Sequence, residues 1–167
     1  MSSEDFDPKG KGHLLALHIL EKGFQAGSII GGLIVCPIVA YRLGVKDPNL
    51  LKKLANAMAV SALAGTALAG AAGAAKVYGT NVNEEGIEDR VYRLHYNAGQ
   101  NRTDKFAAIS GLVGAVATAG LLDTRNPRLL LGGAAAGAAM GVLAHVATYK
   151  EEAGRPNAML EEMKSRD

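Results

Sequence analysis

Charge is absent from four long stretches of the chain, residues 23–41, 54–75, 106–122 and 129–149, which hold 19, 22, 17 and 21 residues. A hydrocarbon core about 30 Å thick takes roughly 20 helical residues at about 1.5 Å each, so each stretch predicts a membrane-spanning helix. A helix on the surface of a soluble bundle would carry a polar face, and these stretches have none. The third is the shortest, and Lys105 and Asp123 at its ends reach the headgroups by snorkelling. The pattern predicts an all-α, integral membrane four-helix protein: a polar or amphipathic segment over residues 1–22, a four-span membrane domain over 23–149 and a charged tail over 150–167.

Within the spans the small residues recur every fourth position. The first carries Gly23, Gly27 and Gly31, the second Ser61, Gly65, Ala69 and Gly73. The third carries Ala107, Gly111, Ala115 and Ala119, the fourth Gly133, Gly137 and Gly141. Little hydrophobic drive joins helices in lipid, so association depends on van der Waals contact, and small residues four apart let backbones approach closely. These glycine stripes are read as the packing surfaces, and Ile30, Ile34, Ile38, Leu63, Leu112, Val116 and Leu143 opposite them as facing lipid or bulkier partners.

The links between spans alternate short, long, short. Both short links carry a similar turn, Lys46-Asp-Pro-Asn-Leu-Leu51 and Arg125-Asn-Pro-Arg-Leu-Leu130, 79 residues apart, which fits a duplicated helical hairpin with Pro48 and Pro127 where new helices begin. The stretch from His13 to Lys22 reads as an interfacial helix or as the first turns of the first span. In the long link, Ile87, Val91 and Leu94 share a helical face, predicting a surface helix against a partner or the headgroups. The tail from Glu151 is charged, with Ala158, Leu160 and Met163 within it, and reads as solvated or docked on another subunit. The side bearing the termini and the long link has 12 Lys and Arg against six on the other, which predicts termini inside.

Composition agrees with close packing rather than a bulky core. There are 21 Gly, no Trp and 5% aromatic residues, and a mean hydropathy of +0.09 averages polar ends with Ala/Gly helices. A net charge of +2 without a basic stripe argues against nucleic acid. Cys36, beside Pro37 in an apolar run, has no disulfide partner and reads as a packing residue. The acidic start, Met1 to Pro8, resembles neither a secretory signal nor a transit peptide, so import would use internal signals.

Chemistry is sparse. Of His13, His18, His95 and His145, His13 and His18 share a metal-like helical spacing, but no carboxylate or Cys completes a site in sequence, so no metal is expected. His145 lies near the end of the fourth span, where an interfacial role outweighs a proton relay. Asp47, Asp104 and Asp123 border spans and are read as helix caps or partners of a nearby Arg. No nucleophile triad, phosphate loop or dinucleotide fingerprint is present, so neither catalytic residues nor a cofactor nor a small-molecule substrate is expected.

Ala75-Lys-Val-Tyr78 at the end of the second span, Arg102-Thr-Asp104 before the third, and Ser110-Gly111 with Ala115 inside it run in an order that resembles the mitochondrial inner-membrane translocase (Tim) superfamily. Relative to that family, the link after Tyr78 is longer, Arg102 stands closer to Asp104, and Ala115 replaces a glycine. The resemblance implies a multi-pass protein of the mitochondrial inner membrane whose family-motif residues would be Tyr78, Arg102 and Asp104. It further implies a non-catalytic accessory subunit of respiratory complex I, or else a translocase or solute-pore subunit. A transport path calls for polar lining, and the spans offer only Ser28, Asn56, Ser61, Thr66, Ser110, Thr118 and His145, which favours the structural subunit over a pore. A self-assembling pore is the third reading. Expected partners are other membrane subunits of a large complex, the lipid bilayer and bound phospholipid, with the stripes as contact surfaces of a scaffold.

Overall fold

The computed structural model describes residues 6–79 and 82–148. Among them the chain is all-helical: α1 Gly12–Leu43, α2 Leu50–Gly79, α3 Glu84–Tyr96, α4 Ala98–Leu121 and α5 Pro127–Thr148. All but α3 are long and apolar enough to cross a membrane. Even α5, at 22 residues, reaches about 33 Å. The charged tail lies outside the described residues.

α1 begins eleven residues before the first uncharged stretch, so the amphipathic segment from His13 to Lys22 forms the first turns of the span itself. Its helix widens into a π-helical segment over Gly31–Val35 before resuming at Cys36–Leu43. Pro37 explains the disturbance: it has no N–H to give, and its ring crowds the carbonyl four residues back, which falls inside the π segment. Gly44, at φ +78°, then ends the helix in a left-handed turn that costs glycine no Cβ clash.

The two short links are built alike. Asp47 Oδ1 accepts from the Asn49 N–H at 2.7 Å and Asn126 Oδ1 from the Arg128 N–H at 3.0 Å. The Leu50 and Leu129 amides donate to the Asp47 and Asn126 carbonyls, each at 3.0 Å. An Asx side chain thus turns the chain before a proline in both hairpins. Asp47 also pairs with Lys53 at 2.7 Å. Asp123, by contrast, caps nothing by its side chain; it ends α4 with a left-handed backbone, φ +42°.

Asn83 caps α3, accepting from the Gly86 N–H at 3.0 Å, with Glu84 and Glu85 in the first turn and Arg93 and His95 in the last, as the helix dipole favours. α3 lies on the start of α1, where Ile87 Cγ2 would be 3.3 Å from a Cβ on Gly12, and Val91 is buried. The Phe6 ring stacks on His95 at 3.9 Å, and the Lys11 ammonium lies over the same Phe6 ring, 4.2 Å from its centroid. Asn97 caps α4 through the Gln100 N–H at 3.0 Å. The expectation that Asp104 caps this helix is therefore corrected: Asp104 lies well inside α4, because Asn97 supplies the capping oxygen a full turn and more earlier.

α1 with α2, and α4 with α5, form antiparallel hairpins whose open ends, together with α3, lie on one side. The hairpins meet where Gly132 of α5 abuts the backbone of Ala55 on α2. α5 is the central span, burying Gly132, Gly133, Ala135, Gly137, Ala138, Ala139, Gly141 and His145. Met58, Ala62 and Ala135 form the core cluster, flanked by Phe24, Cys36 and Ala136. Ile30, Ile34, Ile38, Leu63, Leu112, Val116 and Leu143 are all exposed.

Candidate functional site

His18, Glu21, Lys22 and Gln25 recur at three- and four-residue spacing, which gathers them on one side of α1. Facing them from α4 is Asp104. Gln25, 5% exposed, donates from Nε2 to Asp104 Oδ1 at 2.8 Å and lies 3.3 Å from Glu21 Oε1. The Lys22 ammonium donates to Asp104 Oδ1 and, at 2.8 Å, to Gln25 Oε1. His18 Nδ1 lies 3.8 Å from Asp104 Oδ2.

The arrangement is a clasp between hairpins. α1 and α4 make almost no close backbone approach, so on this side the hairpins are joined by these side chains. Charges at the edge of a span are costly unless paired, and here Lys22 and Asp104 neutralise one another while Gln25 satisfies both. Side-chain exposure of 29% for Lys22 and 18% for Asp104 places the pair at a boundary rather than in the deep core.

This overturns the reading that no carboxylate joins His18. The ligand atoms of His18, Glu21 and Asp104 lie within 4.8 Å of one another, a disposition that could surround a cation. The Lys22 ammonium already occupies that role, hydrogen-bonded to the carboxylate a metal would need.

Arg102 turns elsewhere. Its guanidinium lies 5.7 Å from the centroid of Phe106, whose ring is 5.3 Å from that of His145, itself buried at 4% exposure. Tyr78, at the end of α2, is 82% exposed. Of Tyr78, Arg102 and Asp104, only Asp104 enters the clasp.

The small residues mediate the contacts inside each hairpin. A Cβ on Gly23 would come 2.5 Å from Ala69 Cβ, and one on Gly27 would overlap the Ser61 carbonyl oxygen. Gly31 approaches Ser61, Gly65 abuts the backbones of Gly23 and Gly27, and a Cβ on Gly73 would come 3.1 Å from the Ile19 side chain. In the other hairpin Gly133 meets Gly114 and Thr118, Gly137 meets Ser110, and Gly141 meets Phe106 and Ser110. Gly111 lies 3.3 Å from the Ala134 carbonyl oxygen, measured from a Cβ placed on it. Ala115 lines a groove together with Ala134 and Ala138 of α5. Most stripe residues thus pack between the spans of their own hairpin.

Two grooves remain. One, of about 330 Å³, runs below the clasp between α1 and α4, with Ala134 and Ala138 of α5 among its lining. The other, of about 410 Å³, is lined by all four spans nearer the short links, including Cys36 and Met58. Both are walled almost wholly by apolar groups.

A family model matches residues 13–148, and the family is described as a protein of unknown function, DUF1757. No curated protein matches the chain.

Proposed function

The chain belongs to the DUF1757 family, and from that premise we propose that it is a non-catalytic structural subunit of a mitochondrial inner-membrane respiratory assembly, of the complex I accessory type that the translocase-superfamily resemblance implies. The observation that carries the reading is how its surfaces are divided. Small residues close the spans on one another, and long aliphatic side chains point out along them, as on Leu68 at 72% and Leu112 at 69% exposure. Such a body offers its flanks to lipid and to neighbouring helices.

A solute path would need polar groups aimed into a passage. Among the described residues the buried polar side chains are Gln25, Ser28 and His145. Gln25 is spent in the clasp, and the Ser28 hydroxyl donates to the Phe24 carbonyl of its own helix at 2.7 Å. This supports a subunit that fills and braces a larger assembly over one that conducts.

The test is extraction of the full chain in mild detergent from mitochondria, native electrophoresis, and mass spectrometry of what co-migrates. Complex I core subunits in the same band are the expected result. Co-migration with protein-import components would replace this reading with the translocase, and self-association alone would sink both.

A further inference from the structure

We infer that the groove beneath the clasp is a seat for one acyl chain of a glycerophospholipid, whose phosphate lies beside Lys105. This rests on the spans lying in a membrane and not on which assembly holds them.

Three observations point there. The first is width. At its mouth the groove is crossed by direct side-chain hydrogen bonds from Gln25 and Lys22 of α1 to Asp104 of α4, the former 2.8 Å long. A partner helix, about 10–12 Å across with its side chains, could enter only by tearing that bridge, whereas a single hydrocarbon chain passes beneath it. The second is length and lining. On α4 the wall runs from Ala107 through Gly111 to Ala115, about 12 Å at helical rise, close to the depth of one leaflet's share of a core about 30 Å thick. Phe24, Leu112, Ala134 and Ala138 line the remainder with apolar groups, Glu21 and Gln25 standing at the mouth, and an unfilled groove of about 330 Å³ would forfeit dispersion contact along its apolar length.

The third is charge at the mouth. Lys105 is exposed, forms no ion pair with the clasp carboxylates Asp104 and Glu21 or with any other group among the described residues, and precedes Ala108, a lining residue, by one turn on α4, which leaves it as the cation at the mouth. A phosphate ester at the level where the uncharged stretch begins meets Lys105 as its chain descends past Ala108, Lys22 and Asp104 being neutralised by one another.

The full chain is reconstituted into vesicles of phosphatidylcholine with phosphatidylglycerol that carries a photoreactive diazirine on one acyl chain, and adducts are mapped by peptide mass spectrometry. Adducts are expected to be denser on the peptide holding Ala108 and Leu112 than around Leu63 and Leu68, which face outward on α2. Ala108→Trp, which fills an exposed part of the groove, lowers the groove adducts by about tenfold, the ratio that follows from losing the burial of two methylenes, while labelling at Leu63 stays constant. Lys105→Glu lowers groove labelling and Lys105→Arg restores it. A wild-type map with the groove no denser than the α2 face overturns the seat, independently of how any variant folds. A groove bare in vesicles and protected only within a native complex assigns it to a protein neighbour and overturns it as well.

Discussion

Replacing Gly137 with alanine adds one methyl group at a place where α4 and α5 touch through their backbones. The new Cβ would overlap the Ser110 carbonyl oxygen and sit 2.7 Å from its carbonyl carbon and 3.1 Å from Gly111 Cα. None of these atoms can rotate aside. To bring the carbonyl carbon out to 3.4 Å, the helices must part by at least about 0.7 Å, and by more to clear the overlapped oxygen, a gap that forfeits a quarter to a half or more of each dispersion well along the seam. The neighbouring approaches of Gly133 to Gly114 and of Gly141 to Phe106 loosen with it, and the cost falls in the overpacking range of about 1–3 kcal/mol. Alanine's helix propensity returns about 0.5–1 kcal/mol, leaving a net loss of up to about 2.5 kcal/mol, toward the upper end because the Ser110 oxygen is overlapped outright. Gly120, on the same helix pair, has nothing within 4 Å of its Cβ position, so there only propensity acts. Unfolding in mixed dodecylmaltoside and dodecyl sulfate micelles, followed by far-UV circular dichroism, separates the two. Gly137→Ala should unfold at lower sulfate mole fraction, and Gly120→Ala at an equal or higher one. Equal stability of Gly137→Ala and the unaltered chain, or a shift of both variants in one direction, would refute the packing argument.

Other outcomes follow from the clasp, the caps and the turns. Asp104→Asn should lower stability by about 1–3 kcal/mol, less than for a fully buried pair because both partners are part-exposed, and a double-mutant cycle with Lys22→Met should return a coupling of about 1 kcal/mol or more; independent effects would show that the clasp joins nothing. Asn97→Ala removes the α4 cap and should cost about 1 kcal/mol in the same unfolding assay, whereas Asn101→Ala, a turn later, should cost less. The Lys53 ammonium, and then the Asn49 N–H, hold the Asp47 carboxyl below the usual carboxylate range. Its contribution is therefore full above the unfolded carboxyl pKa, about 3.9, and is lost as pH falls through the lower folded value. The stability gap between the unaltered chain and Asp47→Asn should stay level from neutral pH down to about pH 5 and close below that; a gap that widens on acidification would reverse the sign.

The spans were legible because charge cannot cross a bilayer cheaply, so gaps between charges mark them with little help from propensity. Their ends were not. α1 runs back past Lys22, Glu21 and His18 because Asp104, 82 residues from Lys22, meets these groups on another helix, and nothing local encodes that meeting. The stripe on α4 shows a second limit. Residues 107, 111, 115 and 119 and residues 106, 110, 114 and 118 are adjacent four-residue series, and beyond Phe106 both are made of small residues. Period alone cannot choose between them. The seam with α5 draws on both, Phe106, Ser110, Gly114 and Thr118 from one series and Gly111 from the other, while Ala115 lines the groove. Gly132 was likewise overlooked, since the contact between hairpins it makes with Ala55 lies off the stripe of its own helix.

The π segment at Gly31–Val35 has a consequence for how this family's sequences should be aligned. One extra residue in a helical turn rotates everything after it by about 100°, so the face that carries Gly23 and Gly27 is not continued in step by residues after Pro37. A relative whose first span lacks the proline needs no widened turn, and the same three-dimensional faces then require one residue fewer. Gaps belong in loops by habit, but here the expected position for a single-residue gap is the middle of a transmembrane helix, between residues 31 and 35. An alignment that forbids it would pair lipid-facing positions of one sequence with the glycine seam of another.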